Sequence, residues 1–106
     1  MITSTLSLDE IYTLAKRTLF HNGCDEINAE AVAKTVTYAE RDGSVSHGLF
    51  RVPGYIAALR SKKVKGNSRP TTDYRTQNTI RVDGDYGFAP MAIQVGIPAL
   101  VETILF

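Results

Sequence analysis

Two apolar stripes at helical spacing run through the first forty residues of this chain. The first extends from about Leu8 to Asn22 and the second from about Ile27 to Arg41. In each stripe apolar side chains recur every three or four residues, which places them on one face of a helix. Gly23 lies between the two, and glycine tolerates the left-handed conformation that ends many helices. The sequence therefore predicts two successive amphipathic helices.

Side chains suited to capping stand at the start of both predicted helices. Ser7 can cap the first helix, and Glu10 occupies the reciprocal position of a capping box. Either Asp25 or Asn28 can cap the second helix, because both side chains accept hydrogen bonds from free backbone N–H groups. The second helix is predicted to end where Asp42-Gly43-Ser44 breaks the pattern.

A third helix is predicted over about Leu49–Ser61, with Pro53 inside it. Proline is tolerated near a helix start but kinks a helix interior, which leaves the position of this start open. The segment Lys62–Pro70 is basic and contains glycine, so it is interpreted as a connection between two subregions. Its run of Lys62, Lys63 and Lys65 is typical of a solvated loop.

The second part of the chain carries strand signals followed by another apolar segment. Two short strands are predicted at Thr71–Arg75 and Thr79–Asp83, around Gln77-Asn78. They are expected to belong to a larger sheet, because an isolated hairpin is marginally stable in water. The last segment, Phe88–Phe106, is roughly helical, and Gly96 and Pro98 are expected to interrupt it.

These elements predict an α+β chain. A helical N-terminal subdomain is expected over residues 1–65, and residues 66–106 are expected to form the first strands and a helix of a larger mixed sheet, as an incomplete domain. The chain stops at the apolar Ile104-Leu105-Phe106, whereas chain ends normally lie exposed at the surface. We therefore expect the polypeptide to end in the middle of a fold.

Charge and cysteine content exclude several classes of function. Twelve Lys and Arg residues nearly cancel eleven Asp and Glu residues, so no large basic field is available for nucleic acid or an anionic membrane. No apolar run is long enough to cross a bilayer, and the N-terminus lacks the features of a signal peptide. A single cysteine, Cys24, excludes an internal disulfide and a cysteine-rich zinc site. The expectation is a cytoplasmic protein without a metal site.

The densest polar cluster, residues 40–48 followed by Arg51, lies between the second and third helices. Histidine is the side chain that titrates nearest neutral pH, so His47 is a candidate to give or take a proton. The guanidinium of Arg51 can hold a carboxylate through two parallel hydrogen bonds. Ser46 can add a third polar contact. The cluster indicates a pocket for a small carboxylic acid whose reacting atom lies near a proton donor.

A purely structural interpretation of the same residues is also open. Ser46 could cap a helix, His47 could be an exposed residue of its first turn, and Arg51 could be a solvated charge. Elsewhere, Cys24 is typical of a small buried apolar residue rather than a nucleophile. The segment 83–87 lacks both the acidic positions of a calcium loop and the glycine spacing of a dinucleotide fingerprint, which favours a turn.

The polar cluster also carries a resemblance to a known family. The residues of this resemblance are Arg41-Asp42-Gly43, Ser46-His47-Gly48, Arg51, Pro53, Tyr55 and Leu59, with a later run over Val82–Phe88. They resemble the N-terminal signature of the type 2 malate/L-lactate dehydrogenase family, which is unrelated to the Rossmann-fold dehydrogenases. The form of the motif is most similar to the reductases of delta-1-piperideine-2-carboxylate and delta-1-pyrroline-2-carboxylate. The resemblance covers nearly the whole chain.

The resemblance implies NADPH- or NADH-dependent hydride transfer to a small 2-keto, 2-hydroxy or cyclic 2-imino acid, with imine reduction favoured. It implies that His47 and Ser46 are catalytic, and that Arg51 binds the substrate carboxylate while His47 contacts the substrate. It also implies a homodimer for the full-length protein. Family members are longer, and their nicotinamide-binding domain lies beyond this chain, so the cofactor-binding residues stay unknown. We expect the isolated chain not to turn over substrate.

Three hypotheses follow for the chain as it stands. It is the N-terminal part of an oxidoreductase, a small helical module that binds a protein, or a degenerate subunit that completes the site of a full-length homologue. The first predicts an exposed apolar surface and self-association. The second predicts a monodisperse, cooperatively unfolding protein. The third predicts association with a longer chain.

Overall fold

Four α-helices and one β-hairpin make up the described part of the chain, which confirms the predicted α+β class. The computed structural model describes residues 5–76 and 79–105. The predicted turn residues Gln77-Asn78 and the terminal Phe106 lie outside this part. The elements are α1 (Leu8–His21), α2 (Glu26–Arg41), α3 (Val52–Arg60), β1 (Thr71–Thr76), β2 (Thr79–Asp83) and α4 (Ala89–Leu105). Two 3-10 turns, Val45–His47 and Leu49–Arg51, connect α2 to α3.

The starts of α1 and α2 follow from their caps. In α1 the Glu10 N–H donates to Ser7 Oγ at 3.1 Å, and the Ser7 N–H donates to Glu10 Oε1 at 3.0 Å, so the capping box is confirmed. At the start of α2 the Asp25 carboxylate accepts the Asn28 N–H at 3.0 Å. Asp25 is therefore the cap, and Asn28 lies inside the helix. Gly23 follows α1 with a positive φ of 116°.

The hydrophobic core lies where α1 packs on α2 and α3 closes over one end. Burial of one side chain such as Leu19 contributes roughly 1.5–3 kcal/mol relative to its exposure. Phe88, which precedes α4, joins this core, and its ring meets that of Tyr55 edge-on at 5.0 Å between centroids. The buried core residues are Ile11, Ala15, Leu19, Cys24, Ala29, Val32, Ala33, Val36, Val52, Leu59 and Phe88. The division at residue 65 stays a prediction.

The start of the third helix differs from the sequence prediction. Residues 49–51 form a 3-10 turn, and the α-helix begins at Val52 rather than at Leu49. Pro53 thus falls in the first turn, where a backbone N–H would have no partner within the helix and its loss costs little. Arg51 therefore lies outside α3, in the turn that leads into it.

The hairpin pairs antiparallel and packs against α4. Thr71 lies opposite Asp83, and the register shifts near the far end of the hairpin. The predicted interruption of the last helix is wrong, because α4 runs unbroken through Gly96 and Pro98. Gly96 is buried against Val82, so it allows the helix to approach the strand. Pro98 removes one helical hydrogen bond, to the carbonyl of Gln94, which lies on the exposed side where water can replace it.

Candidate active site

The polar cluster predicted to be functional lies on the segment between α2 and α3, and both ends of its first turn are tied to α2. The Ser44 N–H donates to the Ala39 carbonyl at 2.8 Å. The Leu49 N–H donates to Glu40 Oε1 at 2.8 Å. The segment 44–49 is thus held against the last turn of α2 rather than free in solution.

Ser46 and His47 form a hydroxyl–imidazole pair within the first 3-10 turn. Ser46 Oγ lies 3.0 Å from His47 Nδ1, and the imidazole tautomer decides which of the two donates. Both side chains are exposed. Among the described residues Nε2 of His47 has no hydrogen-bond partner, so this nitrogen can exchange a proton with a bound molecule. Ser46 caps no α-helix here, which sets aside the structural interpretation of that residue.

Arg51 follows in the second 3-10 turn, one turn beyond this pair. Its backbone N–H donates to the Gly48 carbonyl at 3.0 Å, while its side chain is exposed. Within residues 5–76 and 79–105 its guanidinium has no ion pair. His47 and Arg51 lie in separate 3-10 turns, so helical spacing does not bring their side chains together. The two turns are consecutive in sequence, and their backbones lie close together.

Other charged residues of the cluster are engaged locally. The Arg41 guanidinium pairs with the Asp42 carboxylate at 2.9 Å and lies 4.9 Å above the centre of the Tyr38 ring. The hydrogen bond from Arg41 lowers the pKa of Asp42. The charges of Arg41 and Asp42 therefore neutralise each other beside the Ser46–His47 pair. No separate role for Glu40 followed from the sequence. In the structure its carboxylate accepts the hydrogen bond from the Leu49 N–H.

A concave region lies elsewhere on the molecule. It is a groove of about 930 Å³ between the end of α1, the loop after α3 and Tyr86, and none of its lining residues is Ser46, His47 or Arg51. Lys62, Lys63 and Lys65 are exposed along it, as expected for a solvated loop.

Cys24 is buried beneath this groove, as the sequence predicted. Burial, aided by the negative charge of Asp25, raises the pKa of the Cys24 thiol to about 11. The thiol is therefore protonated at neutral pH, which does not suit a nucleophile.

The segment 83–87 forms the turn that the sequence predicted. The Asp85 N–H donates to Asp83 Oδ1 at 2.8 Å, and the Gly87 N–H donates to the Gly84 carbonyl at 3.0 Å. The Asp85 carboxylate accepts from the Arg69 N–H and from Lys65 Nζ, so it is already occupied. The described residues form no glycine-rich cradle for a dinucleotide here. They also contain no group of three or more His, Cys, Asp or Glu side chains that could hold a metal ion.

Comparison with known proteins decides the family. A family model described as malate/L-lactate dehydrogenase matches residues 6–104. The chain belongs to the malate/L-lactate dehydrogenase family. The resemblance inferred from the Ser46-His47-Gly48 motif is therefore confirmed. Within residues 5–76 and 79–105, no helix combines the length and the apolar character that a membrane span requires.

Similar members of the family bear reductase names. The chain is 43% identical over 96 residues to a delta(1)-pyrroline-2-carboxylate reductase of Ancylobacter novellus, which matches 91% of this chain and 28% of that protein. It is 37% identical over 97 residues to a delta(1)-pyrroline-2-carboxylate/delta(1)-piperideine-2-carboxylate reductase of Pseudomonas aeruginosa, over 92% of this chain and 29% of that one. The chain thus spans under a third of the length of these relatives.

Solved structures agree with this similarity. The crystal structure of a delta1-piperideine-2-carboxylate reductase from Pseudomonas syringae pv. tomato superposes with a TM-score of 0.90 at 34% identity, over 95% of this chain and 30% of that chain. A malate dehydrogenase from Entamoeba histolytica gives a TM-score of 0.88 at 27% identity, over 98% of this chain and 29% of that chain. The fold described above is therefore that of one region of these larger enzymes.

Proposed function

We propose that this chain supplies the substrate-binding and proton-donating residues of a reductase that acts on cyclic 2-imino acids. The observation that carries the proposal is the Ser46–His47 pair with Nε2 free, followed by Arg51 in the next 3-10 turn without an ion pair, both within the described residues. The names of similar proteins support the imine class over 2-keto and 2-hydroxy acids. Because these relatives are longer, the proposed reaction belongs to a protein with the rest of their sequence.

The chemistry of a cyclic 2-imino acid fits these side chains. Its carboxylate matches the planar fork of Arg51, which can donate two parallel hydrogen bonds. Its ring nitrogen gains a proton when the carbon–nitrogen double bond is reduced, and His47 can donate that proton through Nε2. The Ser46 hydroxyl holds the opposite ring nitrogen and so orients the imidazole.

A nicotinamide cofactor, NADPH or NADH, supplies the hydride in this class of reductase. The described residues do not fit such a group, since none of them forms a phosphate-binding loop at the Ser46–His47 pair. The cofactor is therefore proposed from the family alone, and no residue of this chain is assigned to it. We expect the hairpin to continue into a larger mixed sheet in the longer protein.

The proposal extends to assembly and location. A homodimer of the full-length protein is proposed from the family resemblance. A cytoplasmic location is proposed because Cys24 has no disulfide partner in the described residues, which is usual where thiols stay unoxidised.

A chimera tests the proposal. Residues 6–104 of this chain replace the matching segment of the Ancylobacter reductase, and oxidation of NADPH is followed with delta-1-pyrroline-2-carboxylate. We expect turnover by the chimera and none by the isolated chain. Arg51→Ala should raise KM about 10- to 100-fold, because a charged hydrogen bond to the carboxylate is lost. His47→Ala should lower kcat.

The matched control is Arg17→Ala, which removes an exposed arginine of α1. It should leave both constants unchanged. Equal kinetics for Arg51→Ala and the unsubstituted chimera would overturn the assignment of Arg51. Turnover by the isolated chain would overturn the expectation that the rest of the enzyme is needed.

A further inference from the structure

Glu40 makes a contact that the sequence pattern does not reveal. It lies in the last turn of α2, half-buried, and its Oε1 accepts the Leu49 N–H at 2.8 Å across nine residues. Leu49 begins the second 3-10 turn, the one that carries Arg51. The carboxylate therefore reaches from α2 to the junction between the two turns of the candidate active site.

Gly48 fits this contact closely. It is buried, and a Cβ atom at this position would lie 2.6 Å from Cδ of Glu40 and would overlap its Oε1. Carbon atoms do not approach this closely without displacement of one side. The absence of a side chain at residue 48 is thus what lets the Glu40 carboxylate lie against the backbone between His47 and Leu49.

The segment that carries Ser46 and His47 is bridged to α2 at both ends. At one end the bond is between backbone groups, from the Ser44 N–H to the Ala39 carbonyl at 2.8 Å. At the other end it is the carboxylate of Glu40. Loss of the carboxylate would leave the second end without its tie and would expose the Leu49 N–H.

We propose that Glu40 is a positioning residue, which fixes the Ser46–His47 pair relative to Arg51 through the backbone of Gly48 and Leu49. Its importance for the reaction rests on the proposed function, whereas its effect on the geometry of His47 does not. Catalytic geometry is sensitive to such support, because misplacement by about 1 Å can cost about 100-fold in rate.

Imidazole nitrogen-15 spectra of the chain test the geometric role. The chain has two histidines, His21 and His47, so one spectrum reports the site and an internal reference together. Glu40→Ala should change the His47 ring shifts, since the hydroxyl–imidazole contact is no longer held. Glu40→Gln keeps an acceptor oxygen and should preserve them. The His21 shifts should stay the same in both variants.

Glu30→Ala is the matched control. Glu30 also lies on α2, and its carboxylate pairs with Lys16 at 3.1 Å, away from the two turns. This variant should leave His47 unchanged while it weakens the helix pair. An equal change of His47 in Glu30→Ala, or no change in Glu40→Ala, would overturn the proposal.

Gly48→Ala provides a second route, which also applies if Glu40→Ala does not fold. The added methyl should displace the Glu40 carboxylate without removing it and should reproduce the altered His47 shifts. Unaltered shifts would again count against the proposal.

In the chimera, Glu40→Ala should lower kcat/KM about 100-fold. Glu40→Gln should retain most of the kcat/KM of the unsubstituted chimera. An inactive unsubstituted chimera would count against the proposed function alone, because the spectra decide the role of Glu40 separately.

Discussion

Asn28 and Ser68, forty residues apart in sequence, hydrogen-bond to each other in the interior. Ser68 Oγ donates to Asn28 Oδ1 at 2.9 Å, and Asn28 Nδ2 donates to the Ser68 carbonyl at 3.0 Å. Both residues have zero exposed surface. The pair joins the first turn of α2 to the segment that leads into β1, and it satisfies polar groups that would otherwise be buried without partners.

Removal of either side chain of this pair should destabilise the fold. Asn28→Ala leaves the Ser68 hydroxyl and carbonyl without this partner, and we expect a loss of about 1–3 kcal/mol in the free energy of unfolding. Ser68→Ala should cost less, because only one acceptor loses its donor. Urea denaturation measures both. Thr35→Ala, at an exposed position of α2, is the control and should change stability by under about 0.5 kcal/mol.

Asp25 should make the stability of the chain dependent on acid pH. Burial acts to raise its pKa, but hydrogen bonds from Asn28 and from the Arg69 guanidinium, 2.7 Å away, outweigh burial and lower it. A lowered pKa means that the folded state favours the carboxylate. This stabilisation is present above the ordinary value of about 3.9 and is lost as pH falls through the lower folded value.

Denaturation of the wild type and of Asp25→Asn between pH 3 and pH 7 checks this expectation. The two should differ in stability at neutral pH and converge as the wild-type carboxylate becomes protonated. Glu102→Gln removes an exposed carboxylate on α4 and should leave the pH dependence as it is. A constant difference between wild type and Asp25→Asn at every pH would contradict the assignment.

Two helical glycines should respond oppositely to alanine. At Gly96 an added Cβ would lie 2.8 Å from Val82 Cγ2, so Gly96→Ala should lose about 1–3 kcal/mol through overpacking of α4 on β2. At Gly54 in α3 nothing lies within 4 Å of the added atom. Gly54→Ala should gain about 0.5–1 kcal/mol from helix propensity.

Thermal and urea unfolding of the two variants give the comparison directly. The double variant Val82→Ala/Gly96→Ala should recover part of the lost stability, because the Cγ2 atom of Val82 that the new Cβ would contact is removed. Two variants of equal stability would show that α4 does not press on β2 at Gly96.

The exposed apolar face of α4 should cause self-association of the isolated chain. Ile93, Ile97, Val101 and Ile104 recur at helical spacing, and each is between 46% and 68% exposed. Apolar patches of this kind mark association surfaces. Ile97→Glu should lower the apparent mass measured by sedimentation at a given concentration. Leu14→Glu on α1 removes an apolar residue of similar exposure elsewhere and should not. A monomeric wild type would contradict this prediction and favour the small-module hypothesis.

Local signals made much of this fold predictable. The capping box of Ser7 and Glu10 acts within three residues, and so does the cap of Asp25 on Asn28. Such bonds depend on sequence neighbours alone, and the helix starts that they fix were correctly predicted or confined to two choices. The hairpin and the turn at residues 83–87 were predictable for the same reason.

Features set by distant contacts were not predictable in this way. Pro98 suggested a break in α4, but packing on the hairpin and the exposure of Gln94 allow the helix to continue. Each 3-10 turn has a local bond of its own, from the His47 N–H to Ser44 and from the Arg51 N–H to Gly48, but the tie from Glu40 to Leu49 spans nine residues. Ser46, His47 and Arg51 could be identified from the motif, whereas the two 3-10 turns that carry them could not be predicted from it.

The burial of Cys24 gives this chain an internal reporter of opening. Its thiol is the chain's one sulfhydryl, is 3% exposed, and has a pKa raised to about 11, so reagents that need an accessible thiolate react slowly with the closed molecule. Modification then proceeds mainly from molecules in which the core around Cys24 has opened. The labelling rate of the unaltered protein therefore measures how often this part of the core opens, without any added probe.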